Sequence, residues 1–113
     1  MPLHRVVIFC SEPVALANFY CAAFRLEIIS SEGTFIDTGI KDSQVSRLAF
    51  HKSKKASTSS IKLCFYTSDV AAERKRLVDL GANMGKLQGN AESLCFCDGT
   101  DLEGNVFQIT NRA

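Results

Sequence analysis

The sequence lacks the features that mark several common classes of protein. No run approaches the roughly 20 apolar residues that a bilayer span needs. A formal net charge of +1 over 113 residues provides no excess charge to attract nucleic acid or an acidic membrane. The opening segment MPLHRVVIFC has too short an apolar run for a secretory signal and no small-residue cleavage site. We therefore expect a cytoplasmic protein with neither nucleic acid nor a membrane as a partner.

The cysteines form no C-x-x-C pair, and their number is odd. Without an export signal they are most simply buried thiols in a reducing compartment. Cys95 and Cys97 would share one side of a strand, with Cα atoms about 6.6 Å apart, near the limit for a disulfide. They are either a redox or metal pair or two small core residues, and the second interpretation is the simpler. The five cysteines are Cys10, Cys21, Cys64, Cys95 and Cys97.

The chain does contain an internal repeat. RVVIFCSEPVALANFY (5–20) and KLCFYTSDVAAERKRL (62–77) both run from a basic residue through an apolar stretch to a serine-acid pair and a helical pattern. The offset between the two segments is 57 residues, the separation of Arg5 and Lys62. Several matches at one offset indicate a duplicated unit rather than a chance likeness. The same offset aligns Phe9 with Tyr66, Phe50 with Phe107, and His51 with Gln108.

A polar, serine-rich segment, KSKKASTSS (52–60), separates the two halves. Such a composition is typical of a linker. At 113 residues, with 46% hydrophobic and 22% charged residues, the chain is an ordinary globular domain that needs no metal or disulfide to form a core. We predict one domain, 1–113, with module one at about 1–52, a linker at about 53–60 and module two at about 61–113.

Local signals predict the order β-α-β-β-β in each half. Ser11 is a candidate N-cap for the first helix, with Pro13 in its first turn. Ser68 is the candidate cap of the second, Asp69 favours its positive end, and Gly81 ends it. The predicted buried positions are Leu16, Phe19, Tyr20 and Ala23 on the first helix and Val70, Leu77 and Leu80 on the second. The shorter strands are expected at about 26–30, 34–39, 46–52, 83–88, 92–98 and 105–111.

Two segments carry a family resemblance that spans nearly the whole chain. ANFYCAAFRLEI is similar to the F-Y-x-x-x-L-G-F segment of the vicinal oxygen chelate superfamily, which includes glyoxalases, bleomycin-resistance proteins and extradiol dioxygenases. DLEGNVFQI resembles that superfamily's D-P-[DE]-G-N-x-x-[EQ]-[IL] ending. Phe24-Arg25 and Leu102 depart from the pattern, in place of Leu-Gly and proline. The resemblance implies an α+β fold, in which two tandem βαβββ modules form a curved, cup-shaped mixed sheet with the helices on its outer face.

The resemblance also implies where a metal would be held. Metal enzymes of the superfamily take ligands from the start of the first strand and the end of the last strand of each module, which correspond here to Arg5, His51, Lys62 and Gln108. Only neutral His51 is a good donor, and Gln108 offers one weak carbonyl oxygen. A divalent ion about 4 Å from a single cation meets a repulsion of roughly 8 kcal/mol at an effective dielectric near 20. A complete structural zinc site gains only about 10–16 kcal/mol, so we predict no metal and no other cofactor.

Two histidines need separate consideration. His4 would reach the ligand position if the first strand slipped by one residue, but that slip would turn Val7 and Phe9 to the other face. His4 is therefore interpreted as a surface or strand-end residue. His51 is either a pocket residue or a partly exposed strand-end residue next to the linker.

Strand alternation suggests which side chains line a pocket. Arg5, Val7 and Phe9 would face it from the first strand, and Arg47, Ala49 and His51 from the fourth. An apolar cavity with two or three basic groups favours an aromatic or apolar molecule that carries an anion. In the alternative interpretation, Arg5 and Lys62 pair with Glu27, Asp37 or another acid and line nothing. The predicted ligand-binding residues are Arg5, Phe9, His51, Lys62, Tyr66 and Gln108.

Three functional classes follow from the residues and the resemblance. The first is a metal-independent protein that binds a small molecule, although the near-neutral chain does not suit cationic bleomycin. The second is an enzyme, either a glyoxalase-like lyase or a dioxygenase-related enzyme with an atypical site. A lyase needs a positioned base, and with Gln108 in place of the superfamily's glutamate only His51 or Tyr66 could serve. The third is a small regulatory or dimerisation module. We favour the binder, assign no catalytic residue and expect a homodimer, as is common in the superfamily.

Overall fold

A computed structural model describes residues 3–54 and 61–112. The chain divides into two compact units, Met1–Ser57 and Thr58–Ala113. Most of the predicted linker, from 55 to 60, lies outside the described residues. The first unit has the predicted order βαβββ. Its elements are β1 (Arg5–Cys10), α1 (Pro13–Phe24), β2 (Glu27–Glu32), β3 (Phe35–Gly39) and β4 (Arg47–Lys52).

The first sheet joins its first and last strands side by side. Its strand order is β1-β4-β3-β2, with β1 parallel to β4 and the other neighbours antiparallel. The register places Arg5 opposite Arg47 and Phe9 opposite His51. Since side chains alternate between the faces of a sheet and paired residues share a face, all four side chains lie on the same face.

Helix α1 covers the other face of this sheet. Leu16, Tyr20 and Ala23 are almost completely buried, as the helical spacing predicts. Phe19, predicted for the same stripe, is only partly buried. The Tyr20 ring lies 5.3 Å from the ring of Phe50, a β4 residue with no exposed surface. The core of the first unit therefore lies between α1 and the sheet.

The ends of α1 differ in part from the prediction. Glu12, not Ser11, occupies the N-cap position, and its side chain makes no capping hydrogen bond. Pro13 accounts for the difference, because it occupies the first helical turn and so places the cap one residue before it. At the other end Arg25 adopts a left-handed conformation with φ 56°, and its N–H donates to the carbonyl of Cys21. This is the conformation that glycine adopts most easily, which explains why the superfamily segment carries glycine there.

The second unit repeats the first with one broken strand. Its sheet order is β5-β9-β8-β6, with β5 parallel to β9, and β7 also pairs with β8. The single strand predicted at about 83–88 is wrong, because two short strands lie along β8 in its place. Gly89 turns the chain there with φ +83°. The elements are β5 (Leu63–Tyr66), α2 (Val70–Asp79), β6 (Asn83–Met84), β7 (Gln88–Gly89), β8 (Cys95–Thr100) and β9 (Val106–Thr110).

Helix α2 is capped by a carboxylate. The side chain of Asp69 accepts a hydrogen bond of 3.0 Å from the backbone N–H of Ala72, so the prediction that Ser68 provides the cap is wrong. Of the predicted apolar stripe, Val70 and Leu77 are buried, whereas Leu80 is 54% exposed. Leu80 differs because it forms the C-terminal cap, where the chain leaves the helix.

The 57-residue offset holds for the helices but not for the first strands. Pro13 and Val70, the first helical residues, are 57 apart. Phe9, however, stands opposite His51, whereas Cys64 and not Tyr66 stands opposite Gln108. The first strand of the second unit is therefore shifted by two residues relative to its neighbour. Because a shift of two keeps each side chain on the same face, it does not change which β5 side chains share a face with Gln108.

The cysteines are free thiols. Cys95 and Cys97 lie on β8 with at most 3% of their surface exposed, and burial raises the pKa of Cys97. These observations favour the core interpretation of the pair. Neither of the helices in the described parts of the chain has the length and apolar character of a membrane span.

Buried and exposed aromatics should differ in their contribution to stability. Phe50→Ala removes a fully buried ring and should lower the free energy of unfolding by about 3–5 kcal/mol. Phe9→Ala is the matched control, because Phe9 lies on the same sheet but is 55% exposed, and it should cost about 1 kcal/mol or less. Urea unfolding followed by circular dichroism measures both. Equal losses would contradict the core described for the first unit.

Candidate functional site

The first sheet has a face that α1 does not cover, called here the first distal face. Strand alternation places its members, because their neighbours Leu48 and Phe50 are buried on the helix side. The face is partly open, since Val7 is 37% and Phe9 55% exposed. The orientations predicted for the strands β1 and β4 are therefore those of the structure. The first distal face consists of Arg5, Val7, Phe9, Phe35, Asp37, Arg47, Ala49 and His51.

Asp37 binds two arginines on this face. The Nε and Nη2 of Arg5 donate to its Oδ1 and Oδ2 at 3.2 and 3.0 Å. Nη1 of Arg47 donates to Oδ2 at 2.9 Å. The Asp37 side chain is only 3% exposed, while those of Arg5 and Arg47 are 32% and 35% exposed. The cluster therefore combines a buried carboxylate with two partly open guanidinium groups and has a net charge of +1.

The charges on the cluster shift its pKa values in a consistent direction. Burial alone would raise the pKa of Asp37, but the hydrogen bonds and positive charges of Arg5 and Arg47 bring it below its ordinary value. In return, the hydrogen bond and negative charge of Asp37 raise the pKa of Arg5. The Asp37 carboxylate is therefore ionised at neutral pH, and Arg5 remains a cation.

His51 lies among aromatic rings at the other end of the first distal face. Its ring centroid is 5.9 Å from that of Phe9 and 5.6 Å from that of Phe35. Its Nδ1 lies 3.3 Å from the carbonyl oxygen of Thr34. The side chain is partly exposed. These contacts form an aromatic patch, Phe9, Phe35 and His51, four residues along β1 from Arg5.

The corresponding face of the second sheet, the second distal face, carries an ion pair as well. Nζ of Lys62 lies 3.0 Å from Oδ2 of Asp98. Nε2 of Gln108 donates to the other oxygen of Asp98 at 2.9 Å, and the thiol of Cys64 is 3.8 Å from Oε1 of Gln108. Burial acts to raise the pKa of Asp98, but the hydrogen bonds from Gln108 and Lys62 and the charge of Lys62 lower it. The amide of Gln108 is thus fixed by a carboxylate.

A pocket of about 220 Å³ opens on the second distal face. Gln108 is the one predicted site residue among those that line it. Tyr66 stands opposite Thr110 in the β5–β9 pair and is 63% exposed. The lining residues are Leu94, Phe96, Gln108, Thr110 and Arg112.

The structure groups the predicted site residues by unit. Arg5, Phe9 and His51 share the first distal face. On the second, Gln108 is linked to Lys62 through Asp98. Both predicted cations pair with acids, as the alternative interpretation expected for Arg5 and Lys62, while their side chains stay 32% and 42% exposed. Asp98 is the partner that the sequence did not identify, although its alternation with buried Cys97 could have placed it on this face.

The donors in these positions do not fit a divalent metal. Arg5 is held by Asp37, Lys62 by Asp98, and the nitrogen of the Gln108 amide also points to Asp98. Within residues 3–54 and 61–112, no three His, Cys, Asp or Glu side chains come together in a way that could hold a metal ion. One imidazole in the first unit and one amide oxygen in the second are fewer and less anionic donors than catalytic metals require.

The sequence matches the model of the Glyoxalase-like domain family over residues 5–110. The chain belongs to this family. Its fold is that of the vicinal oxygen chelate superfamily, as the two segments near residues 17–28 and 101–109 predict. No curated protein sequence matches it.

Solved structures agree with this glyoxalase-like fold. A glyoxalase/bleomycin resistance protein/dioxygenase family enzyme from Burkholderia phytofirmans PsJN is similar with a TM-score of 0.80 and 21% identity, covering 97% of this chain and 98% of the other. An integron cassette protein from the mobile metagenome of the Halifax Harbour sewage outfall has a TM-score of 0.81 and 12% identity, with 98% of each chain covered. The fosfomycin resistance protein FosX from Mesorhizobium loti has a TM-score of 0.75 and 15% identity, covering 97% and 90%. At these identities the likeness concerns the fold alone.

The Asp37 cluster should make stability depend on pH. Asp37→Asn removes a buried carboxylate that accepts three hydrogen bonds and should cost about 1–3 kcal/mol at neutral pH. Because the folded pKa is below the unfolded value of about 3.9, the wild type loses this stabilisation as the pH falls through the folded pKa. The difference between wild type and Asp37→Asn should therefore shrink at acid pH.

Urea unfolding at pH 7 and at about pH 2.5 measures this difference. Asp79→Asn is the control, because Asp79 forms an exposed pair with Lys75 and its loss should cost only about 0.3–0.5 kcal/mol. A penalty for Asp37→Asn that is the same at both pH values would contradict the ionised cluster.

Proposed function

We propose that this glyoxalase-like protein binds a small organic molecule without a metal ion. The observation that carries the proposal is the set of contacts at the superfamily's metal-ligand positions. Arg5 and Lys62 are engaged by Asp37 and Asp98, and the Gln108 amide donates to Asp98. A dication at either position would face a cation and would have to displace that cation's carboxylate partner.

The side chains of the distal faces offer the contacts that an organic ligand needs. We propose that Arg5, Phe9 and His51 are the ligand-binding residues of the first distal face, and that Lys62, Tyr66 and Gln108 are those of the second distal face. Partly exposed aromatic rings and aliphatic side chains supply apolar contact, while the guanidinium and amide groups provide directional hydrogen bonds. An anionic or aromatic ligand suits this combination.

The proposal includes a cytoplasmic location and a homodimer. Free thiols at all five cysteines are compatible with a reducing compartment. The homodimer rests on the superfamily resemblance alone, and sedimentation equilibrium tests it directly.

The proposal predicts that purified protein contains little metal. Elemental analysis should find less than about 0.1 equivalents of Zn, Ni, Mn or Fe per chain, because the ligand positions lack anionic donors. In a thermal-shift screen of aromatic carboxylates, the compounds that raise the melting temperature should do so equally with EDTA and with added divalent ions.

The control for this measurement is His51→Ala, which removes the one good metal donor among the four positions. Near-stoichiometric metal in the wild type that is lost in His51→Ala would refute metal independence and would favour an enzyme. A small amount of metal that is unchanged in His51→Ala would indicate surface binding elsewhere and leave the proposal intact.

A further inference from the structure

We infer that the Asp37 cluster, Arg5, Asp37 and Arg47, is the anion-binding end of the ligand site and that it takes a carboxylate attached to an aromatic ring. This inference rests on the proposed function and specifies the class of its ligand. It also adds Arg47 as a binding residue and Asp37 as a positioning residue.

Hydrogen-bond donors are available at the Asp37 cluster. A guanidinium carries five N–H donors. In the described residues Arg5 uses two of them on Asp37 and Arg47 uses one, so most of the donors are not used within the cluster. The two side chains are 32% and 35% exposed, and these donors can therefore meet a ligand.

Asp37 holds the two guanidinium groups in place before any ligand binds. Its carboxylate is 3% exposed and contacts Nε and Nη2 of Arg5 and Nη1 of Arg47. Like charges would otherwise separate the two arginines, and each long side chain would lose rotamer entropy on binding. The Asp37 carboxylate lowers both the repulsion between the arginines and the entropy that they lose on binding. It balances part of their positive charge and fixes the orientation of both guanidinium groups.

The charges distinguish this cluster from the Lys62–Asp98 pair on the second distal face. Two arginines and one aspartate have a net charge of +1, whereas Lys62 and Asp98 form a neutral pair. An anion therefore gains more at Arg5 and Arg47 than at Lys62. One negative charge neutralises the cluster, while a dianion would leave an uncompensated charge beside the buried Asp37 carboxylate. A planar carboxylate also matches the fork of a guanidinium.

The rest of the ligand follows from what adjoins the cluster on the same face. Val7 separates Arg5 from Phe9 along β1, and both Val7 and Phe9 are exposed. Four residues of strand span about 13 Å, so the aromatic patch of Phe9, Phe35 and His51 lies several bonds away from the guanidinium groups. The geometry suits a ring joined to its carboxylate by a short aliphatic chain that runs over Val7.

Phenylbutyrate is the probe, with its amide as a neutral analogue of the same shape. Isothermal titration or NMR titration should show the amide binding about tenfold or more weakly than the acid, which corresponds to about 1.4 kcal/mol. Arg47→Gln should weaken binding of the acid by a similar factor and leave binding of the amide unchanged. Phe9→Ala should weaken both compounds. Arg47→Lys, which keeps the positive charge but loses the paired N–H donors of the guanidinium, should weaken binding of the acid by severalfold.

Lys41→Gln is the control for a general change of charge. It removes one positive charge from an exposed residue of the same unit, whose amine lies 3.9 Å from Glu27, and should change binding of the acid by less than about twofold. If Arg47→Gln does not fold, as judged by circular dichroism, Arg47→Lys still tests the inference, because it should weaken binding of the acid severalfold and leave binding of the amide unchanged.

Three outcomes would overturn the inference: equal binding of acid and amide, equal losses in Arg47→Gln and Lys41→Gln, or no binding of the acid at about 10 mM. Inorganic phosphate that binds more tightly than the acid would also count against the aromatic carboxylate. Metal-independent binding of neutral aromatics alone would refute the carboxylate site and leave the proposed function standing. Stoichiometric metal at His51 would refute the proposed function instead.

Discussion

The burial of one face of each sheet beneath a single helix determines where polar side chains can lie. In the first unit, Tyr20 and Phe50 occupy the helix side, so the charged side chains of β1 and β4 must project from the opposite face. Parallel pairing of β1 with β4 then brings Arg5 beside Arg47. Two neighbouring guanidinium groups repel each other, and Asp37 on the adjacent strand β3 provides the anion that binds both. The ionic cluster is therefore a consequence of how the core is formed.

The same constraint operates in the second unit with a different result. Phe107 and the β8 cysteines are buried on the helix side, which leaves Asp98 and Gln108 on the distal face. There Lys62 and Asp98 form a neutral pair and Arg112 lines the pocket beside Gln108, whereas the Asp37 cluster itself retains a positive charge. Duplication has thus produced two sheets of the same plan but different electrostatics. In a chain whose net charge is only +1, the two guanidinium groups around one carboxylate favour an anion on the first distal face.

The resemblance of residues 17–28 and 101–109 to segments of the superfamily was sufficient to predict the family. Periodicity and turn signals predicted the order βαβββ and the faces of the strands, because periodicity reports on burial. They failed where neighbouring residues compete for one role. Ser11 and Ser68 were equally good caps by type, but Pro13 and Asp69 determined the outcome. The pairing of Lys62 with Asp98 could not be predicted, because it depends on the register between β8 and β9. The two-residue shift of β5 against β9 could not be predicted either, because it is a property of tertiary packing. The sequence repeat has the same offset of 57 for both strands and gives no sign of the shift.

The central claim is that carboxylates hold the cations at the superfamily's metal positions, so that an organic anion binds and a metal does not. Native mass spectrometry of the protein with both Zn²⁺ and phenylbutyrate tests this claim most directly. The account predicts a complex whose added mass is that of the acid alone, with one acid for each chain. A complex that contains zinc in a fixed ratio to the chain, with or without the acid, would contradict it.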